Sequence, residues 1–375
     1  MVTYPSDWQE GTIGDLFNVS AGGDVKKRWF SKYRTQSHPY EIFSNGIENR
    51  GLYGYTSTAI YAGNAVTVTA RGTIGQAFYR ENDFDAIIRL LVLSPKNDDT
   101  KPKFYEYFIN SQVVFEKENT GVPQLTAPKI KEKTVPILSG EEQKNIIIAL
   151  SVFDTYIDDL AELIEKKRGI RDGALEDLIV GRTRIAGYCG ERKAHTISDI
   201  TRTVITGGTP STARQEYYGG NIPWLSSTEI HQKRIKKPTT YITDLGLQNS
   251  SAKMAPERAV LIALAGQGKT RGTAAYLTRP MTLNQSLAAL VTNEKCNPEF
   301  LYYLIESMYL SLRELSSGDG GRGGLNKKLI KGLTVTIPID VSEQEAIAYT
   351  LTAMDDEIEA LETERDKMIQ IREGA

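Results

Sequence analysis

Residues 142–174 read EQKNIIIALSVFDTYIDDLAELIEKKRGIRDGA, and residues 343–375 read EQEAIAYTLTAMDDEIEALETERDKMIQIREGA. The stretches lie 201 positions apart, and twelve of their 33 aligned residues are identical, where chance predicts a couple. The matches include Glu142/Glu343, Gln143/Gln344, Asp154/Asp355, Arg171/Arg372 and Gly173/Gly374. Alternate steps of four and three from Ile146 meet Leu150, Phe153, Ile157, Leu160, Ile164, Lys167, Arg171, Ala174 and Leu178. The same steps from Ile347 meet Leu351, Met354, Ile358, Leu361, Arg365, Met368 and Arg372. This is the spacing of a coiled-coil seam, which predicts two long helices with an apolar stripe in shared register. Neither stretch contains proline, and Ser139-x-x-Glu142 and Ser342-x-x-Glu345 have the form of capping boxes at their starts. A helix of about 35 residues is about 50 Å long, so its stripe needs a partner. The other copy is the nearest complement, and covering an ordinary core is the alternative. Duplicated halves related by a pseudo-twofold require the helices to run antiparallel, which predicts a stalk with one arm at each end.

The remaining sequence gives a length of 375 residues, enough for two or three domains with cores of their own. Two cysteines without a C-x-x-C and three histidines argue against a disulfide framework or structural zinc. No signal peptide and no apolar run near 18 residues is found, which predicts a cytoplasmic protein with no membrane contact. The net charge of −2 hides a segregation. Residues 1–140 carry +1, 141–185 carry −3, 186–340 carry +7 and 341–375 carry −7. Base on the arms and acid on the stalk leave room for a polyanionic partner on the arms.

The arms repeat as well. Strands are expected near 40–43, 58–70, 86–93 and 133–138 in the first arm, with a helix at about 102–117. In the second, strands are expected near 222–226, 258–265, 273–278, 287–292 and 333–338, with a helix at about 298–315. Both of these helices open with a proline in the first turn, Pro102 and Pro298. Each arm therefore reads as one α+β domain.

Several stretches carry a resemblance to a known family. They are Gly46-Ile47-Glu48-Asn49 with Tyr53 and Tyr55, Val66 to Gly75, Gly207-Gly208-Thr209-Pro210-Ser211-Thr212, Asn221 to Ser226, and the Glu-Gln helix starts. The order arm, long helix, arm, long helix resembles the specificity (S) subunit of type I restriction-modification enzymes over essentially the whole chain. The resemblance implies target recognition domains at 1–140 and 186–340, with spacer helices at 141–185 and 341–375. It implies an α+β fold in which two pseudo-symmetric domains are joined by two antiparallel coiled-coil helices. The second helix stops at the counterpart of Ala174, whereas the first continues to Ile185, so a shortened C-terminal region is expected.

The site residues follow from strands that run into glycine-rich basic loops, where small residues let backbone approach DNA. Arg71 and Thr73 lie in one such loop, and Gln267, Lys269 and Arg271 in the other. The second loop has the outline of a phosphate-binding loop but carries Ala263 where that motif needs glycine. Lys26, Lys27 and Arg28, and Lys233 and Arg234, are basic clusters suited to phosphates, with solvated surface as the plain alternative. Asn45, Tyr53, Tyr55, Ser226, Arg322 and Lys327 complete the candidate DNA contacts. The candidate partner seam is Ile146, Leu150, Phe153, Ile157, Leu160, Ile347, Leu351, Met354, Ile358 and Leu361. Asn297-Pro298-Glu299-Phe300 falls one residue short of an amino-methyltransferase signature and reads better as a helix cap. No nucleophile triad, paired carboxylate or metal cluster stands out, which predicts a targeting subunit rather than an enzyme.

By resemblance, the partners are double-stranded DNA, two methyltransferase subunits using S-adenosylmethionine, and a restriction motor subunit. The chain itself is expected to bind no cofactor and to serve adenine-N6 methylation of a two-part asymmetric target. The alternatives are a related system whose partner fuses methyltransferase and nuclease, and a coiled-coil scaffold that binds no DNA.

Overall fold

The computed structural model describes residues 8–115, 124–266, 268–317 and 324–374. The chain divides into two compact units, one of residues up to Asp159 with Arg365 onward, the other Leu160–Glu364. The long helices run Gly140–Val180 and Val341–Gly374, so each contributes to both units. Among the described residues no helix is long and apolar enough to cross a membrane.

In the first unit, a four-stranded antiparallel sheet has the order Phe17–Ala21, Leu91–Pro95, Ala65–Val68, Ala77–Arg80. A second sheet has the order Phe30–Ser31, Leu52–Thr56, Tyr40–Phe43, Phe84–Ala86, its last pair parallel. Gln9–Thr12 pairs with Thr134–Ile137 just ahead of the first long helix. The helix Pro102–Gln112 lays Phe104, Tyr105, Phe108 and Ile109 onto the first sheet, forming one core with Val66, Val68, Leu91 and Leu93.

The second unit repeats the plan. Its sheets have the orders Thr201–Thr206, Leu287–Thr292, Val260–Ala263, Ala274–Leu277, Arg234–Ile235 and Thr240–Ile242, Tyr218–Leu225, Met281–Leu283, Lys253–Ala255. The two-stranded ribbon is Arg192–Thr196 with Thr334–Pro338. The helix Pro298–Ser307 takes the place of Pro102–Gln112. The helix expected at 298–315 is interrupted at Met308 and resumes as Tyr309–Ser317.

Matched polar anchors show how deep the duplication goes. Thr12 with Asp15, and Thr196 with Asp199, form reciprocal capping boxes on the first short helix of each unit. Buried Gln143 accepts from the Lys101 amide at 2.8 Å and donates to the carbonyls of Asp99 and Leu138. Buried Gln344 accepts from the Asn297 amide at 2.8 Å and donates to the carbonyls of Lys295 and Pro338. Each buried glutamine thus ties three backbone groups together, and the carbonyls of Leu138 and Pro338 that it satisfies are themselves in buried surroundings.

Within the second unit the long helices pair antiparallel. Ion pairs climb one helix as they descend the other, from Arg168–Glu362 to Arg171–Asp355, and just beyond the end of the first helix Arg184 meets Glu343 near the start of the second. Every described position on the predicted stripe is buried or half-buried, but the stripe has two uses. Ile347, Leu351 and Leu178 join the core of the second unit, whereas Leu160, Ile164 and Ile358 are buried outside that cluster. The stripe is therefore a core face at the start of the second long helix and at the end of the first, and is buried outside that core in between. Ser139 accepts from the Glu142 amide as its spacing predicts, but the second helix is capped differently. Asp340, not Ser342, is the acceptor there, taking both the amide and the hydroxyl of Ser342.

Candidate nucleic-acid interface

In the first unit the fully buried strand Ala65–Val68 delivers the loop Thr69–Gly75 to the surface. The Thr69 hydroxyl accepts from the Gln76 amide at 2.9 Å and donates to the Thr73 carbonyl. Gly72 and Gly75 have φ of 70° and 90°, and a Cβ at Gly75 would stand 2.2 Å from the Phe115 ring, so glycine is required there. Asn45 braces the loop from the side. Its Oδ1 accepts from the amides of Ala70 (2.6 Å) and Arg71 (3.3 Å), and its Nδ2 donates to the Ile88 carbonyl at 2.6 Å. The backbone is thus fixed while the Arg71 and Thr73 side chains remain exposed, Arg71 donating to Gln124 at 3.2 Å.

Asn45 also ties this loop to a feature the sequence reading missed. Ile88 and Arg89 have φ of 54° and 63°, a two-residue turn with both side chains exposed, whose backbone is joined through Asn45 to the Arg71 loop. Such turns favour asparagine and glycine, and nothing in Ile-Arg announces one. Lys26, Lys27 and Arg28 are all exposed around the short helical turn Lys27–Trp29, with the Lys26 ammonium 5.1 Å from the Trp29 ring centre. Tyr53 is exposed and Tyr55 half-buried on one strand, the Tyr53 ring 5.7 Å from Phe30.

The second unit builds the matching loop from the buried strand Val260–Ala263. Here the helix Tyr309–Ser317 holds it. Arg313 donates to the Gly268 carbonyl at 2.7 Å, Tyr309 to the Lys269 carbonyl at 2.9 Å, and His231 lies 3.2 Å from the Thr270 hydroxyl. Lys269 projects into solvent and Arg271 is half-buried. Lys233, at φ 57°, is exposed, and Lys327 is exposed at the start of the helix Lys327–Gly332. Gln267 and Arg322 lie outside the described residues.

Two candidates have hydrogen-bond partners within their own domain. Arg234 is half-buried and engaged, donating to Glu299 at 3.0 Å and Thr352 at 2.8 Å, with the rings of Tyr276 and Tyr302 within 6 Å. Burial works against its charge, but Tyr303 and Glu299 more than offset this and raise its pKa. Its guanidinium links the domain to the second long helix through Thr352. Ser226 donates to Glu229 at 2.8 Å and shapes the turn Ser226–Glu229, so it is a positioning residue, as is Asn45. Among the described residues no group of three or more His, Cys, Asp or Glu could hold a metal ion.

Two α+β units of one plan, each presenting a braced glycine loop with basic side chains exposed, define a tandem-repeat recognition protein. A family model described as the type I restriction modification DNA specificity domain matches the chain twice, over residues 5–167 and 192–370, and the chain belongs to that family. The HindI specificity subunit of Haemophilus influenzae is 21% identical over 430 residues, covering 89% of this chain and 90% of the relative. The MjaIX specificity subunit of Methanocaldococcus jannaschii is 31% identical over 172 residues, covering 44% of this chain and 38% of the relative. In structure, the chain is similar to a type I S subunit from M. genitalium, with a TM-score of 0.66 at 18% identity, covering 100% of this chain and 96% of the other. At that identity the structural likeness establishes the fold.

Proposed function

We propose that this chain reads double-stranded DNA sequence as the specificity subunit of a type I restriction-modification complex. The observation that carries the reading is the pair of braced loops, Thr69–Gly75 and Gly268–Gly272, in a chain whose family is defined by DNA specificity. Fixed backbone with exposed basic side chains is what groove recognition asks for, because ordering a loop on binding costs affinity. In this reading Arg71, Thr73, Arg89 and Lys269 reach base edges or nearby phosphates. Lys26, Lys27, Arg28, Lys233 and Lys327 position the duplex through phosphates, and Tyr53 and Tyr55 present rings to a groove.

Each unit reads one half of an asymmetric two-part target, since the loops share a frame but not side chains. The chain performs no chemistry itself. Adenine methylation belongs to two partner methyltransferase subunits that carry S-adenosylmethionine, and cleavage to a restriction motor subunit, in the cytoplasm. The test is the salt dependence of DNA affinity. A steep fall in affinity with rising ionic strength, lessened by Lys26→Ala and Lys27→Ala, supports the reading. No DNA binding at low salt, alone or with a methyltransferase partner, overturns it.

A further inference from the structure

One motif of the sequence, Gly207-Gly208-Thr209-Pro210, lies outside the two braced loops. It is seated against the turn that follows the strand Met281–Leu283. The Gly208 amide donates to the Leu283 carbonyl at 3.0 Å, and a Cβ at Gly207 would stand 1.8 Å from that same oxygen, so only glycine allows the approach. Two aromatic side chains pin the segment: Trp224 Nε1 donates to the Gly208 carbonyl at 3.1 Å, and the Tyr218 hydroxyl donates to the Pro210 carbonyl at 2.6 Å. Thr209, exposed between these fixed points, donates its hydroxyl to Oε1 of Gln285 at 2.8 Å.

Gln285 is itself exposed on a turn whose backbone is held. Buried Asn284 donates its amide to the Leu225 carbonyl at 2.9 Å and accepts from the Ser286 amide at 2.9 Å through its side chain. The Ser286 carbonyl accepts from the Leu264 amide at 2.8 Å, where the strand Val260–Ala263 runs into the loop that carries Lys269. A carboxamide with one oxygen lone pair engaged keeps a second lone pair and two N–H donors.

The first unit builds the same clasp with other side chains. There the Gly23 amide donates to the Ala86 carbonyl at 3.1 Å, and a Cβ at Gly22 would stand 2.5 Å from that oxygen. Leu91 pairs with Val68 as Ala288 pairs with Ile262, which makes Ile88 and Arg89 the counterparts of Gln285 and Ser286. Asp24 stands at the place of Thr209. A shared backbone frame carrying unlike exposed side chains is what two readers of different half-sites require.

We propose that Gln285 is a specificity-determining residue of the second unit, reading the major-groove edge of an adenine by donating to N7 and accepting from N6, with Thr209 as the positioning residue that fixes its carboxamide. The inference rests on the reading of this chain as a DNA specificity subunit.

The test maps methylated adenines in cells that carry the full chain and its methyltransferase partner, and measures DNA affinity of the purified complex against salt. Gln285→Ala is expected to relax a single base pair of one half-site, by roughly tenfold to hundredfold in discrimination, with Tm and every other position unchanged. Gln285→Glu, which only accepts, is expected to move the preference at that position from adenine to cytosine. Thr209→Val relaxes the same position in part and Thr209→Ser restores it, a split that a merely structural role would not produce. An unaltered recognition sequence in Gln285→Ala overturns the proposal, as does a uniform loss of affinity with a salt slope lower by about one, the mark of a phosphate contact. Failure of the unaltered complex to bind or modify DNA overturns the underlying reading instead, whatever residue stands at 285.

Discussion

Arg171 donates to Asp355 across 2.9 Å in the second unit, and Arg372 donates to Asp154 across the same distance in the first, each aspartate also receiving a tyrosine hydroxyl. The environments differ. Arg171 is 4% exposed and has Glu306 as a further partner at 2.6 Å, whereas Arg372 and Asp154 are both partly open to solvent. Removing one member of a buried pair strands the other charge, while an open pair is screened. Arg171→Ala is therefore expected to cost about 3–5 kcal/mol and Arg372→Ala about 1 kcal/mol or less, read by denaturant unfolding of the full chain. Equal losses would contradict the difference in burial.

Gln143 and Gln344 each close three backbone hydrogen bonds between a long helix and its own domain. Gln143→Ala or Gln344→Ala is expected to destabilise by about 2–3 kcal/mol, and glutamate at either site to do no better, because it cannot donate when ionised. Thermal unfolding of the four variants checks this.

Acid should weaken the second unit through Glu229. Burial pushes its carboxyl up, but hydrogen bonds from Thr239, Ser226 and Thr228 more than offset that and hold it below the ordinary value. The unfolded chain then takes up the proton first, so the stabilisation is present above the unfolded pKa and is lost as pH falls through the folded one. Asp15 and Asp199, held low by the hydroxyls and amides of Thr12 and Thr196, act in the same direction. Stability is expected to decline below about pH 4, and Glu229→Gln to be less stable at neutral pH with a shallower acid decline. A parallel pH profile for that variant would contradict this role.

DNA contacts should separate from structural arginines. Arg71→Ala and Lys269→Ala are expected to leave Tm unchanged and to weaken binding, with a loss of about 1–3 kcal/mol of discrimination at one base position if the side chain reads a base, or a salt slope lower by about one if it meets a phosphate. Arg234→Ala is expected to lower Tm, since its partners Glu299 and Thr352 lose their donor. Titrations at several salt concentrations, beside thermal melts, distinguish the three.

How much of this was legible in the sequence depended on what each signal reports. The stripe from Ile146 to Leu178 was plain because periodic apolar residues mean burial on a helix, yet periodicity does not say what does the burying. Ile347 and Leu351 went to a domain core, and Leu160 and Ile358 did not. Strands such as Val260–Ala263 and Leu287–Thr292 were apparent from β-branched and apolar runs. Gln9–Thr12 and Arg192–Thr196 were missed because they are polar and owe their pairing to distant partners. The break at Met308 carries no proline or glycine to mark it. At the site, sequence identifies a basic side chain but not where its charge ends up: Arg234 meets Glu299 and Thr352, and the turn that exposes Arg89 has no asparagine or glycine to mark it.

The most direct measurement replaces residues 186–340 with those of a relative of different specificity and maps methylated adenines in cells that also carry the methyltransferase partner. Independent reading by the two units predicts that one half of the modified sequence changes while the other half and the gap stay as they were. A change in both halves, or in neither, would contradict it.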